Sequence, residues 1–330
     1  MKRIAINGFG RIGRLTLRNL LDKDVEVCAI NDLTDNATLA HLFKYDTAQG
    51  TFRGEASSDE RFIYINDIKI PSYNSKNPAD LPWKELNIDV VLECTGRFRK
   101  KEKASLHLQA GAKRVLLSAP AKSKGIQTIV LGVNEDEIKA EEQIFSNASC
   151  TTNCLAPIVK LVDEQLGLIN GSMTTVHGYT ADQRLQDAPH KDLRRGRAAA
   201  QNFVPTTTGA AKALGLVYPE AKGKLMAMAV RVPVITGSFI ELNINVEKAV
   251  SVEDIHQMMQ SAAEGPLKGI LAYCKDPIVS SDIIGNRASS IYDSLLTQVD
   301  GQFVKIVSWY DNEMGYAARL ADIAVVIAGL

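Results

Sequence analysis

The chain has no net charge, no long apolar run and few cysteines, and each shortage removes a class of function. Lys plus Arg number 38 and Asp plus Glu 38 in 330 residues. No overall field therefore draws the molecule to nucleic acid or to an acidic membrane, although a local basic patch can still hold phosphates. No apolar stretch approaches the ~20 residues needed to span a bilayer. Met1 runs straight into Lys2-Arg3-Ile4-Ala5-Ile6, without the apolar region and small-residue cleavage site of an export signal. Cys28, Cys94, Cys150, Cys154 and Cys274 are too few and too scattered for a disulfide framework. A reducing cytoplasm is the expectation, and a thiol there is free to act as a nucleophile. No membrane or nucleic-acid partner is expected, and no internal repeat or low-complexity segment is present.

What remains is an ordinary globular composition, 45% hydrophobic and 23% charged. The length suits two domains better than one core. The first half alternates strands and helices. Ile4 to Asn7 reads as a buried strand, followed by a helix with Gly13, Leu17, Leu20 and Leu21 on one face, then a strand over Val25 to Ile30. Further strands are predicted at Val90-Val91-Leu92, Val115-Leu116-Leu117 and Thr128 to Gly132, with a helix over Lys101 to Ala110. This rhythm predicts a doubly wound parallel sheet in an α/β fold.

The second half predicts an α+β domain with a larger, mostly antiparallel sheet. Its strands are expected at Met173 to His177, Leu225 to Val234, Phe239 to Val246 and Phe303 to Trp309. Ser251 precedes a helix over Val252 to Ala263, and an apolar helix spans about 314–328. The expected domains are 1–149, joined by the C-terminal helix (about 314–330), and 150–313. Thr180 to Asn202 fits neither period. It mixes five basic residues, among them Arg184 and Arg195, with three aspartates. Structureless segments this long in compact domains are usually functional or disordered.

Asn7-Gly8-Phe9-Gly10-Arg11-Ile12-Gly13 carries G-x-G-x-x-G directly after a strand and at the opening of a helix, the context that gives the pattern meaning. Gly8 permits the tight turn, Gly10 lets the backbone approach a pyrophosphate, and Gly13 lets helix pack on strand. Helix N-terminal amides then face the phosphates. Asp32, 19 residues after Gly13, closes the second strand. A carboxylate there accepts hydrogen bonds from the adenosine ribose and repels a 2′-phosphate by about 4 kcal/mol at 4 Å and an effective dielectric of ~20. A dinucleotide (Rossmann) domain with NAD favoured over NADP is predicted.

Where the first half ends, Ser146-Asn147-Ala148-Ser149-Cys150-Thr151-Thr152-Asn153-Cys154 follows an apolar strand over Gln143 to Phe145 and precedes a helix-like run. Cys150 then lies at a helix N-terminus, where the dipole favours a thiolate. Cys154, one turn further in, is read as structural. Pro157 predicts a kink. His177 ends a strand just before the long loop, but spacing alone does not establish that it reaches Cys150.

Five segments spread over the whole chain make the reading more specific. They are Ile6 to Arg14 (INGFGRIGR), Ser146 to Pro157 (SNASCTTNCLAP), Pro189 to Arg195 (PHKDLRR), Thr208 to Lys212 (TGAAK) and Trp309 to Glu313 (WYDNE). Together they resemble the phosphorylating glyceraldehyde-3-phosphate dehydrogenases of the NAD type. The resemblance implies that Cys150 is the nucleophile and His177 its base. Glyceraldehyde 3-phosphate would be oxidised through a Cys150 thiohemiacetal and thioester that phosphate cleaves to 1,3-bisphosphoglycerate. It further implies that Ser149, Thr151, Thr208, Gly209 and Arg195 serve inorganic phosphate, and that Thr180 and Arg231 hold the substrate phosphate. Gly8, Phe9, Gly10, Arg11, Ile12, Gly13, Asp32, Ser118 and Asn312 would contact NAD, Asn312 at the nicotinamide amide. A homotetramer is implied, with the long loop lining a neighbour's cofactor site, and no metal.

Three positions depart from the family pattern. Gly178 stands where Ala or Ser is usual, Met314 where Trp is common, and Ala188 where Leu is frequent. NADP-using relatives also carry a small residue at the last position, so some NADP use is expected beside NAD. The nearest alternative is an erythrose-4-phosphate dehydrogenase, whose members usually lack the TGAAK and PHKD forms. A semialdehyde dehydrogenase would leave the paired phosphate residues without a purpose. A non-catalytic protein on this fold would have no need of Cys150 and His177.

Overall fold

The early apolar runs become parallel strands because a helix or long connection separates each from the next. The computed structural model describes residues 1–330, which divide into one unit of residues 1–129, 136–148 and 317–330 and another of 130–135 and 149–316. The first unit contains β1 (Lys2–Asn7), α1 (Arg11–Leu20), β2 (Val25–Asn31), α2 (Asn36–Lys44), β3 (Ala56–Ser58), β4 (Phe62–Ile65), β5 (Ile68–Tyr73), β6 (Val90–Glu93), α3 (Lys101–Gln109), β7 (Arg114–Leu117), β8 (Gln127–Thr128) and β9 (Ile144–Ser146). The strands form one sheet in the order β3-β4-β5-β2-β1-β6-β7-β9-β8. Every pair from β5 to β8 is parallel. Ile4 to Ile6 and Val90 to Leu92 are wholly buried, as strands covered on both faces must be. The chain goes from β1 to β2 on one side and returns to β6 on the other, so β1 marks the switch point of the sheet, where ligands settle at the strands' carboxyl ends.

Two features of this unit differ from the sequence expectation. The β3–β4–β5 meander extends the sheet antiparallel, with a turn at Asn66-Asp67 and Asn66 at φ +50. The expected strand over Thr128 to Gly132 shortens to β8, because Asn134 Oδ1 takes the Val130 N–H at 2.9 Å and Gly132 turns at φ +82.

The second unit is built on α4 (Cys150–Leu166), β10 (Leu168–Gly178), β11 (Val204–Thr206), α5 (Ala210–Val217), β12 (Leu225–Val232), β13 (Ser238–Val246), α6 (Val252–Glu264), β14 (Leu271–Cys274), β15 (Ser290–Asp293), β16 (Gln298–Asp300) and β17 (Phe303–Tyr310). Its sheet runs β11-β12-β10-β13-β17-β15-β14, with β16 on β17, and is mostly antiparallel. Strand β13 alternates strictly between buried and half-buried residues, the pattern of a sheet with one covered face. Helix α4 covers that face, packing on β10, β13, β15 and β17, and is buried without a break from Thr151 to Val159. It also continues unbroken through Pro157. Ser251 and Asp254 close a reciprocal capping box on α6. The final helix, α7 (Met314–Ile327), begins here. From Ala317 onward the chain belongs to the first unit, where Lys2 Nζ donates to Val325 O at 2.7 Å and Lys23 pairs with Asp322 at 2.5 Å.

Candidate active site

In the first unit the glycine-rich turn sits on the carboxyl end of β1. Gly8 adopts φ +94, and a Cβ there would lie 2.7 Å from the Thr95 nitrogen. A Cβ on Gly13 would fall 2.2 Å from Gly8 O, so only glycine lets α1 approach the turn this closely. Above Gly10 the space is open: a Cβ added there would meet nothing within 4 Å. Gly10 is the N-cap of α1 and makes no side-chain cap, so the positive end of the helix faces this open space. Asp32 accepts the Phe9 N–H at 2.7 Å and the Thr34 N–H at 3.0 Å, holding its carboxylate beside the turn. Two oxygens offer about four acceptor sites, so capacity for ribose hydroxyls remains. Arg11 pairs with the buried Asp46 at 2.7 Å, and the Ser118 N–H bonds Glu93 O at 3.0 Å. An open amide cradle beside a strand-end carboxylate fits a dinucleotide pyrophosphate and adenosine ribose.

In the second unit Cys150 is the first residue of α4. Ser149 is the N-cap, its Oγ accepting from Thr152 N at 3.1 Å. Ala148 takes φ +53 just before it, a left-handed conformation that costs an alanine about 1 kcal/mol or more. Strand β10 ends by presenting His177, 3% exposed, whose Nε2 lies 3.4 Å from Cys150 Sγ. The parallel pairing of β10 with β12 sets His177 opposite Arg231. His177 Nδ1 is 2.6 Å from Gly178 O and 2.8 Å from Arg231 Nη1. The Gly178 carbonyl can only accept, so at 2.6 Å it takes the Nδ1 proton, while the two Arg231 Nη1 hydrogens are directed to Gly178 O and Thr180 Oγ1. The Nε2 lone pair then faces the thiol, which is the form a base requires.

Electrostatics qualify the simple helix-dipole expectation. Burial pushes the Cys150 thiol up, opposed by the Arg231 charge and by hydrogen bonds from Thr151. Burial likewise holds the His177 imidazole down at about 3, with Arg231 adding to the effect. Each charge alone is disfavoured. Moving the proton from Sγ to Nε2 creates both at once, 3.4 Å apart, and their attraction is about 5 kcal/mol at an effective dielectric of ~20. Transfer of the proton within the pair is therefore the least costly route to a charged sulfur.

Tyr310, which no local signal within the WYDNE segment singles out, braces this pair. Its buried hydroxyl bonds Thr151 Oγ1 at 2.9 Å and Thr175 Oγ1 at 2.8 Å, and its ring meets His177 edge-on at 5.8 Å. One side chain so links the residue after Cys150 to the strand that carries His177. Thr151 thereby turns its hydroxyl into the core, and Ser149 spends its own on the cap.

The remaining predicted residues gather around the dyad. Arg231 Nη1 donates to Gly178 O at 3.2 Å and to Thr180 Oγ1 at 3.4 Å. Arg195 donates to Thr206 Oγ1 at 3.0 Å and Thr207 O at 3.1 Å, two residues and one residue before Thr208. Thr208 Oγ1 accepts from Ala210 N at 3.2 Å, and Gly209 is the N-cap of α5. Asp182 joins the two groups, bonded to Thr180 Oγ1 and paired with Arg195 at 2.5 Å. Partial desolvation raises its carboxyl, but the Thr180 hydrogen bond and the Arg231 and Arg195 charges outweigh that and hold it below the usual range, although the side chain is exposed. Asn312 Oδ1 accepts from Gly237 N at 3.1 Å, Ser238 Oγ at 2.9 Å and Thr236 Oγ1 at 3.3 Å. That clasp leaves its Nδ2 as the group able to donate to a ligand carbonyl.

A dinucleotide cradle on a doubly wound unit, and a thiol–imidazole pair among arginines on an α+β unit, define a class: dinucleotide-dependent dehydrogenases that work through a cysteine. Comparison with known proteins narrows it. Residues 2–101 match the family model "Glyceraldehyde 3-phosphate dehydrogenase, NAD binding domain", and residues 149–312 match "Glyceraldehyde 3-phosphate dehydrogenase, C-terminal domain". The chain is 54% identical over 334 residues to a glyceraldehyde-3-phosphate dehydrogenase of Mycolicibacterium smegmatis, covering 98% of each chain. It is 53% identical over 329 residues to one of Geobacillus stearothermophilus, covering 99% of this chain and 98% of that one. The chain belongs to the glyceraldehyde-3-phosphate dehydrogenase family, with NAD as its cofactor. No helix is long and apolar enough to cross a membrane.

Proposed function

We propose that the protein oxidises D-glyceraldehyde 3-phosphate with NAD and inorganic phosphate to 1,3-bisphosphoglycerate. The observation that carries this reading is the 3.4 Å approach of Cys150 Sγ to His177 Nε2 among Arg231, Thr180, Arg195 and Thr208. His177 takes the thiol proton, and the sulfur attacks the aldehyde carbon to give a hemithioacetal. The protonated ring and the free Cys150 N–H at the start of α4 stabilise the oxyanion, which then regains a proton. NAD, when bound, supplies the acceptor for the hydride that leaves C1. His177 takes the hydroxyl proton as that bond breaks, leaving a Cys150 thioester. A phosphate oxygen attacks the thioester carbon, and the sulfur departs as thiolate.

Two anions need two sets of donors. Arg231 and Thr180 suit the substrate's own phosphate, and Arg195, Thr208 and Gly209 the attacking one. Both Arg195 and Thr180 are bonded to Asp182, so an incoming phosphate competes with that carboxylate for them. Gly8 to Gly13, Asp32 and Ser118 on the first unit, and Asn312 on the second, are the residues assigned to NAD. A homotetramer working in the cytoplasm completes the proposal, supported by the family resemblance and by the exposed apolar side chains Leu185 and Leu193 on the long loop.

Steady-state oxidation of glyceraldehyde 3-phosphate and erythrose 4-phosphate, with and without inorganic phosphate, tests the reading. Glyceraldehyde 3-phosphate is expected to win by kcat/KM, with turnover dependent on phosphate. Preference for erythrose 4-phosphate, or indifference to phosphate, would overturn it.

A further inference from the structure

Beneath the dinucleotide turn lies a row of polar side chains that the reaction does not use. Trp83 Nε1 donates to His107 Nδ1 at 3.0 Å, and His107 Nε2 lies 3.1 Å from Glu93 Oε2. Asn7 Nδ2 donates to the same oxygen at 2.5 Å. Glu93 Oε1 accepts from Thr95 N at 2.9 Å and from the Thr95 hydroxyl. Asn7 Oδ1 in turn accepts from Asn31 Nδ2 at 2.7 Å, and Asn31 Oδ1 from Ser75 N at 2.8 Å. Trp83, His107, Glu93, Asn7 and Asn31 are at most 4% exposed. Since Trp83 donates into Nδ1, the ring proton sits on Nε2 and points at Glu93. Every partner that faces the Glu93 side chain is then a donor, the set a carboxylate wants.

The row crosses the carboxyl ends of β2, β1 and β6 in turn. Directly above it stand Gly8, whose N–H bonds Asn31 O at 2.8 Å, Thr95, against which Gly8 packs, and Asp32, which follows Asn31. Buried polar groups of this kind are costly unless fully bonded, and when bonded they fix one arrangement. We propose that Glu93, oriented by His107 and Trp83, is a positioning residue for NAD: it holds the strand ends that carry the glycine turn and Asp32 in the register the dinucleotide needs. This rests on the placement of NAD at Gly8 to Gly13 and Asp32 proposed above.

The test uses the full chain, with calorimetric titration of NAD beside steady-state kinetics. Glu93→Gln keeps the volume but sets an amide N–H2 against N–H donors. It is expected to weaken NAD binding by roughly tenfold or more, as loss of buried bonds to a charged group does. The KM for glyceraldehyde 3-phosphate should stay unchanged, and kcat at saturating NAD should stay within about threefold. Trp83→Phe, which frees the His107 tautomer, should weaken NAD about three- to tenfold. A folded Glu93→Gln protein with unaltered NAD affinity overturns the proposal, as does a proportional fall of kcat and both substrates' kcat/KM. Should Glu93→Gln fail to fold, Trp83→Phe decides, and unaltered NAD affinity there overturns it. Asp32→Ala separates the two claims. If it leaves NAD binding intact, the placement of the cofactor is wrong. If it weakens binding and the Glu93 and Trp83 variants do not, only the positioning role falls.

Discussion

Of the five thiols, three are disarmed by their surroundings: burial pushes Cys28, Cys94 and Cys154 each up to about 12. Cys154 is further tied down by Ser290 Oγ at 3.4 Å. Burial raises Cys150 too, but it alone has an imidazole at bonding distance, and it combines this with the Arg231 charge and a helix N-terminal position. Iodoacetamide at neutral pH should therefore alkylate Cys150 ahead of Cys28, Cys94 and Cys154 by roughly a hundredfold, and ahead of the half-buried Cys274 by a smaller margin. His177→Asn should remove most of that lead. Peptide mass mapping over a time course reads both outcomes, and equal labelling of all five thiols would contradict the assignment.

Among the elements, the close approach of α1 to the turn after β1 depends on Gly13. A Gly13→Ala methyl has nowhere to go but into Gly8 O. The variant should lose about 1–3 kcal/mol of stability, the usual cost of overpacking, and bind NAD more weakly. Urea denaturation and NAD titration check this, and a variant matching the parent in both would refute the close approach.

This element is legible in the sequence because period, glycine spacing and the following Asp32 all agree. So are the doubly wound character of the first half and the longer strands of the second. The β3–β4–β5 meander is not: Ala56–Ser58 is too short to signal, and Ile68–Tyr73 contains Pro71. Long-range pairing is equally hidden. Arg231 meets His177 through the register of two parallel strands, and no local pattern states a register between segments 54 positions apart. Tyr310 looks like any buried aromatic in a strand until the hydroxyl finds Thr151 and Thr175. Glu93 and His107 run against the rule that such residues face water, and only their mutual bonding accounts for their burial.

For the molecule as a whole, the same His177 burial that serves chemistry has a stability consequence. The folded chain holds the imidazole at about 3, and the unfolded chain near 6.5. Between those values the unfolded state binds the extra proton, so stability is complete above about pH 6.5 and falls as the pH drops toward 3. The total is roughly a few kcal/mol. From about pH 6.5 to 5 the depressed carboxylates are still ionised, so that upper part of the slope belongs to the histidine. Denaturant midpoints across this range should decline for the parent chain and flatten in His177→Asn. An unchanged slope in the variant would contradict the burial argument.

The central claim, that sulfur 150 carries the acyl group between oxidation and phosphate attack, is met most directly by a single-turnover experiment. The protein is mixed rapidly with glyceraldehyde 3-phosphate and excess NAD in phosphate-free buffer, then quenched in acid for mass mapping. A burst of NADH close to one equivalent per chain is expected, with a matching acyl mass on the peptide containing Cys150 and loss of that mass on adding phosphate. A burst with the label on Cys154 or elsewhere, or turnover with no covalent intermediate at all, would contradict it.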